Sequence, residues 1–334
     1  MKRTNTLHMM LLAAAVALII STIWAPAAVL AATNPIRIHF AQGATSAVVS
    51  GNLPANGTSR YVIRAGASQL MQVTLSASKT ARLKITNTSG HALAPIPGTS
   101  STTGFRGYLP YTGDYYITVA AGNKAISYSV DVFIPVRIKF ASGATSSTLK
   151  AHLRAHQGLG TIAGAKKGQI LEVIATPAKK SASLQLIIYG VDGTVLRSGM
   201  GEGSSFRGVL PLTEDYIISV RAGEVATDFT LQVIVPQRIH FASGSTTGSV
   251  NTSLLSGHTQ YYVLGASKNQ TMKVVATPDT ALKLAVYGMD GTVLKSANSG
   301  GASFKGTLPK TQDYFLAVTN TGNPLNFRLS VTIK

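Results

Sequence analysis

Three aspartates stand at equivalent places in this chain, each directly before a tyrosine: Asp114, Asp215 and Asp313. A general acid–base pair needs two carboxyls facing one cleft. One acid per repeat, at a turn entering a strand, is where Asp commonly caps its own backbone, so the structural reading stands ahead of the chemical one. Ser and His are present, but no G-x-S-x-G elbow, H-E-x-x-H pair, Walker loop or G-x-G-x-x-G fingerprint occurs. His39 and His240 take equivalent strand positions where the middle repeat has Lys139, which removes a shared ligand role. His152 and His156 lie four apart and could share a strand face, yet two imidazoles without a carboxylate partner fall short of a metal centre. Asp192 and Asp290 belong to Asp-Gly turns. Calcium would need six or more oxygens there, and the first repeat lacks the Asp. No catalytic residue, metal ligand or cofactor is expected.

Binding is what remains. Tyr61, Tyr108, Tyr111, Tyr261 and Tyr262 are candidate sugar platforms, although strand tyrosines are more often half-buried packing residues. The basic–aromatic pairs Arg60 with Tyr61 and Arg106 with Tyr108 are the candidate binding residues. They are also the faint sign of a surface for stacked bases, and the export signal described below argues against nucleic acid.

The elements that would position these residues recur three times. R-I-H-F at Arg37 returns as R-I-K-F at Arg137 and R-I-H-F at Arg238. About seventy residues into each unit comes F-R-G-Y-L-P-Y-T-G-D-Y from Phe105, F-R-G-V-L-P-L-T-E-D-Y from Phe206 and F-K-G-T-L-P-K-T-Q-D-Y from Phe304. A repeat of this length is a domain with its own core, whereas one of ~20–50 residues would signal a solenoid or propeller. Within each unit, apolar and polar residues alternate with period two: Ile126, Tyr128, Val130 and Val132 are separated by Ser127, Ser129 and Asp131. That is the pattern of strands with one buried face. Y-G-V-D-G-T-V-L from Tyr189 and Y-G-M-D-G-T-V-L from Tyr287 predict hairpins. The first unit has a longer Pro/Ser/Thr insertion there. Its strands are expected at R-I-H-F, near Val48, at 61–64, 70–76 and 82–86, near Leu93, and at 115–120 and 126–134. Eight short strands close as two stacked sheets, so the fold expected is all-β: three tandem antiparallel β-sandwich, jelly-roll-like domains of about eight strands each. The boundaries expected are 33–134, 135–235 and 236–334. Short junctions through Pro135 and Pro236 favour a semi-rigid rod over independently tumbling units.

Residues 1–32 read as a secretory signal peptide: Lys2 and Arg3, an apolar stretch over 9–20, then V-L-A-A before the expected cleavage. The apolar run is short of the ~20 residues of a membrane span, which leaves a mature protein without one. The chain has no cysteine, so packing alone must hold each unit. Without Lys2 and Arg3 the net charge falls from +18 to +16, and the excess is spread over all three units. Such a chain attracts anionic envelope polymer, acidic polysaccharide or other polyanions. Solubility is the plainer reason for the same charge.

Each unit opens F-x-x-G-x-[TS]-[ST], as in F-A-Q-G-A-T-S from Phe40, F-A-S-G-A-T-S from Phe140 and F-A-S-G-S-T-T from Phe241. A Gly-Gln turn follows, clearest in A-K-K-G-Q from Ala165, and then L-P-x-T-x-D-Y with an alternating last strand. In this order the motifs resemble the inhibitors of goose-type lysozyme and the bacterial pre-peptidase C-terminal jelly-roll domain, over all three units. The first resemblance implies a secreted protein whose loops enter a glycosidase cleft; the second implies a non-catalytic accessory role. The shared positions are turn and core residues, which fix a fold rather than a function. Two functions follow as expectations. One is a secreted, non-catalytic protein binding anionic cell-envelope polymer, extracellular glycan or protein. The alternative is an inhibitor of a secreted lysozyme-like glycosidase.

Overall fold

The computed structural model describes residues 34–334 apart from Lys79 and residues 200–202. The expected signal peptide and cleavage point lie outside the described residues. The first sandwich has eight strands: β1 (Ile36–Arg37), β2 (Ser46–Leu53), β3 (Thr58–Ala65), β4 (Leu70–Ser76), β5 (Arg82–Asn87), β6 (Gly104–Tyr108), β7 (Gly113–Ala120) and β8 (Ile126–Phe133). They form two sheets, ordered β1-β3-β7-β5 and β2-β8-β4-β6. Successive strands alternate between the sheets, so every connection crosses the sandwich and every strand gives one face to a shared interior. The second sandwich repeats this plan from Val136 to Ile234 and the third from Gln237 to Ile333. In both, the Asp-Gly hairpin adds a short strand, Val195–Arg197 or Val293–Lys295. The all-β expectation of tandem sandwiches holds. Among the described residues the helical element is one 3-10 turn, Ala297–Ser299.

Three details differ from the expectation. β1 runs parallel to β3, with Ile36 opposite Tyr61, and its counterparts do the same. No strand forms near Leu93; the insertion makes an isolated bridge, Thr86 to Ala92. F-R-G-Y, taken as a signature without an assigned element, is strand β6 itself. Its glycine has a steric reason. A Cβ on Gly107 would meet the Phe105 ring at 2.6 Å, and Gly208 and Gly306 meet Phe206 and Phe304 at 2.7 Å. The Phe folds back over the Gly, which lets so short an edge strand cover the core.

Alternation delivers three separate apolar interiors. Val73, Ile117, Val130 and Val132 belong to the first, Val173, Ile218, Leu231 and Val233 to the second, and Val274, Leu316, Leu329 and Val331 to the third. Each such side chain contributes roughly 1.5–3 kcal/mol when fully buried. The two repeated signatures meet beside this interior. Arg37 forms a two-pronged ion pair with Asp114, Arg137 with Asp215, and Arg238 with Asp313. The D-Y aspartates are therefore structural, but their partner is a guanidinium some 75 residues earlier rather than their own backbone. The adjoining tyrosines, Tyr115, Tyr216 and Tyr314, are fully buried and donate their hydroxyls to the carbonyls of Tyr111, Leu212 and Lys310, four residues back. That closes a tyrosine corner of the kind that pins strand entry in sandwiches.

The sandwiches also pack on one another, the β2-β8-β4-β6 sheet of one against the first sheet of the next. Leu70 and Phe133 of the first meet Ile162, Tyr189, Val191 and Ile217 of the second. Ile170 of the second meets Val263, Tyr287, Met289 and Phe315 of the third. The hydroxyl of Thr45 accepts from Gly160 N–H, and that of Thr145 from Tyr261 N–H, each at 2.7 Å. Gly160 has no room for a side chain, because a Cβ there would lie 2.1 Å from the Phe133 ring. The corresponding pair at the second joint is Ile234 with Tyr261, the smaller residue now on the other side. Gly160→Ala is expected to loosen the first joint at a cost of about 1–3 kcal/mol, the usual scale of overpacking. Adding Phe133→Ala should recover part of that loss in calorimetric unfolding. Losses that simply add would contradict the close contact.

Candidate functional site

The structure disperses the four candidate binding residues. Tyr61 is 3% exposed and its hydroxyl lies 2.7 Å from that of Tyr128. It is a core residue rather than a ligand platform, because inward positions of β3 alternate from it. Arg106 and Tyr108 lie in the first joint. Arg106 stacks over the Tyr189 ring at 5.2 Å, donates to Gln72 and donates to the Val191 carbonyl at 2.9 Å. Tyr108 donates its hydroxyl to Asp215 at 2.5 Å. Arg207 does the equivalent work at the second joint, 4.8 Å over Tyr287, paired to Glu172 and donating to the carbonyls of Gly288 and Met289. The Arg of F-R-G is thus the clamp onto the following sandwich. Of the four, Arg60 stands on an open face, and Tyr108, 38% exposed, borders the recess beside the joint.

The recess beside the first joint, about 560 Å³, is lined by Tyr108, Lys166, Gln169, Val191, Glu214 and Asp215. Of its acids Asp215 is engaged on both oxygens, whereas one oxygen of Glu214 is buried without a hydrogen-bond partner. Burial pushes the Asp215 carboxyl up, but Arg137 and Tyr108 outweigh that and hold it below the usual carboxylate range. Glu214 is pushed up by burial and accepts from the Asp192 N–H. The histidines are apart: His152 pairs with Asp228 at 2.8 Å and His156 with Glu224 at 3.2 Å. Each has the carboxylate partner that was not foreseen. Among the described residues no group of three or more His, Cys, Asp or Glu could hold a metal, and no helix is long and apolar enough to cross a membrane.

The remaining concentration of chemistry is the outer face of the β1-β3-β7-β5 sheet. It carries Arg37, Arg60, Arg64, Arg82 and Lys84, and its one acid, Asp114, is taken by Arg37. Arg60, Arg64, Arg82 and Lys84 are exposed. Register sets their spacing. Arg60 and Lys84 both lie opposite Thr118 of the intervening β7, so they flank it about 10 Å apart, and Arg64 is about 13 Å along β3 from Arg60. Arg60 lies 3.8 Å over the Tyr116 ring, an arrangement worth roughly 0.5–1 kcal/mol at an exposed site that also keeps the guanidinium from collapsing onto the sheet.

The same face exists twice more, and there the preceding sandwich packs against part of it, leaving Gly164, Gln185, Gly265 and Lys283 exposed. The positions of Arg60, Arg64, Arg82 and Lys84 are Gly160, Gly164, Gln185 and Ile187 in the second sandwich. In the third they are Tyr261, Gly265, Lys283 and Ala285. All four sites are cationic in the first sandwich, none in the second, and one, Lys283, in the third. The signal lies in the sequence at corresponding outward positions of the repeats, which are far apart in the chain.

The fold and this face define a tandem all-β sandwich protein with a cationic end. No protein-family model matches the chain, and no curated protein does. Among solved structures it is similar to PliG of Aeromonas hydrophila, a periplasmic inhibitor of g-type lysozyme: 25% identity over 30% of this chain and 95% of that one, with a TM-score of 0.26. PliG of Salmonella Typhimurium gives 22% identity over 31% and 99% of the two chains, TM-score 0.26. A mutant of the Escherichia coli protein gives 22% over 30% and 96%, TM-score 0.25.

One charged group inside the first joint has a measurable consequence. Asp131 faces the joint from β8, and one of its carboxylate oxygens is buried without a hydrogen-bond partner. The corresponding Gln232 donates to the Tyr261 hydroxyl at 3.0 Å; Gly160 offers Asp131 nothing comparable. Burial pushes this carboxyl up to about 6. The folded chain therefore holds the proton more tightly than the unfolded one, and stability should fall as pH rises from about 4 to about 6. Asp131→Asn should remove this part of the slope and raise stability at pH 7 by up to about 3 kcal/mol. Equal pH profiles for wild type and variant in urea unfolding would count against it.

Proposed function

We propose that this chain is an extracytoplasmic, non-catalytic protein that binds an acidic glycan of the cell envelope or its surroundings through the outer face of its first sandwich. The observation that carries the reading is positional. At these four outward sites the first sandwich, whose sheet meets no other described sandwich, has only cations, whereas the two sandwiches that pack against a preceding one have a single cation between them, Lys283. Solubility alone would be met as well by mixed charges, and this face has four exposed cations with no free acid. Guanidiniums match carboxylate geometry with two parallel hydrogen bonds, and their spread over three strands suits a ligand whose charges repeat. The export signal expected at residues 1–32 and the charge of the whole chain fit the same setting.

The test uses residues 33–334 and a uronate polysaccharide such as alginate. Arg60→Glu with Lys84→Glu should weaken binding about 30-fold or more, on a scale of ~1 kcal/mol for each basic residue near an anionic surface, and added salt should weaken wild-type binding steeply. Undiminished binding by the double variant would sink the proposal. So would tighter binding to duplex DNA, or inhibition of g-type lysozyme that the double variant retains in full.

A further inference from the structure

The far end of the stack is the outer face of the third sandwich, made by strands Thr247–Leu254, Leu325–Ile333, Thr271–Thr277 and Ser303–Thr307. In the first two sandwiches this face grips the next unit with the pairs Gln72–Arg106 and Glu172–Arg207, directly opposite across neighbouring strands. The third sandwich puts Lys273 opposite Lys305 at that place, both exposed. The apolar residues beside it are exchanged as well: Leu70 and Ile170 become Thr271, and Phe133 and Ile234 become Thr332. Like charges directly opposite on a sheet destabilise it. The four strands of this sheet contain no Asp or Glu opposite these two lysines.

Farther along the same face lies a shallow recess of about 450 Å³, lined among others by Asn251, Ser253, Thr277, Asn326 and Arg328. Asn326 stands where the second sandwich has Asp228, so here too the acid is absent. Thr277 is four residues from Lys273 on one strand, about 13 Å away. Amides, hydroxyls and a guanidinium suit sugar hydroxyls and a carboxylate, and the lysine pair suits a further carboxylate along the chain.

From this geometry we infer a second acidic-glycan site on the third sandwich, so that one molecule bridges two polymer chains from opposite ends of its stack. This rests on the reading above that the first sandwich takes such a glycan. Each joint packs part of one sheet against part of the next, so among the described residues the β1-β3-β7-β5 sheet of the first sandwich and the lysine-bearing sheet of the third are the two that meet no neighbouring sandwich, and they belong to different sandwiches. A like-charged pair strained in the free protein gains most when an anion comes between its members, which gives the site a reason to be occupied.

The experiment compares the mature wild type, Lys273→Glu with Lys305→Glu, and the milder Lys273→Thr with Lys305→Thr, both at exposed positions. Calorimetry with a short oligouronate should give two bound oligomers per wild-type chain and one per variant. Light scattering with long alginate should rise and then fall with protein concentration for wild type, the signature of bridging, and stay near baseline for both variants. The first-face double variant, Arg60→Glu with Lys84→Glu, should keep one oligomer per chain and lose bridging. Unchanged stoichiometry and bridging in both lysine variants overturn the second site. One oligomer per wild-type chain, lost with the Arg60 and Lys84 changes, overturns the second site while the first stands. No binding by wild type removes both.

Discussion

The rest of the molecule depends on one constraint: each sandwich has two outer faces, and each face is committed either to a neighbour or to solvent. A sheet buried in a joint must match a surface that is not its own core, so its outward residues shrink to Gly160 or grow to Tyr189 and Tyr287 as the partner requires. The clamp is the F-R-G arginine, which leaves its own sheet to stack on an aromatic ring of the next unit and to satisfy carbonyls there. An arginine fits the task because its planar head stacks and donates at once. Lys305 in the third unit could do neither as well, and among the described residues it stands exposed with no ring to stack on.

Much of the fold is legible in the residues themselves. Period-two alternation marked the long strands, and Asp-Gly marked the two hairpins that β-pairing from Gly190 and Gly288 closes. What the residues did not disclose is how strands are dealt between sheets. Alternation says which face of β7 is inside; it does not say that β3 and β5 are its neighbours while β6 and β8 lie across the core. The F-R-G strand went unseen because a residue pattern of aromatic, base, glycine has no clear alternation. Its Gly is what lets the Phe ring fold flat. The Arg–Asp ion pair could have been found: two oppositely charged residues recur together in all three units while most other charges change.

The candidate site was legible only in part, and for a physical reason. Proximity in sequence suggested Arg60 with Tyr61 and Arg106 with Tyr108, but neighbours in a strand point to opposite faces. Arg60 and Tyr61 are therefore on different sides of the sheet by construction, and Arg60 finds its aromatic partner across the ladder at Tyr116. Arg106 and Tyr108 do share a face, and that shared face is the joint. A surface in a β-protein is assembled from i and i+2 positions of strands far apart in the chain.

The same logic separates charge that serves binding from charge that serves folding. The cations of the Arg–Asp pairs face an acid within hydrogen-bonding distance in each sandwich, so they contribute to local order and little to the field outside. Arg60, Arg64, Arg82 and Lys84 on one end and Lys273 and Lys305 on the other face water without an acid on their sheet, apart from the engaged Asp114. Net charge measured over the chain mixes the two populations. The field outside the protein comes from the second, and part of it is set on the two sheets that meet no neighbouring sandwich among the described residues.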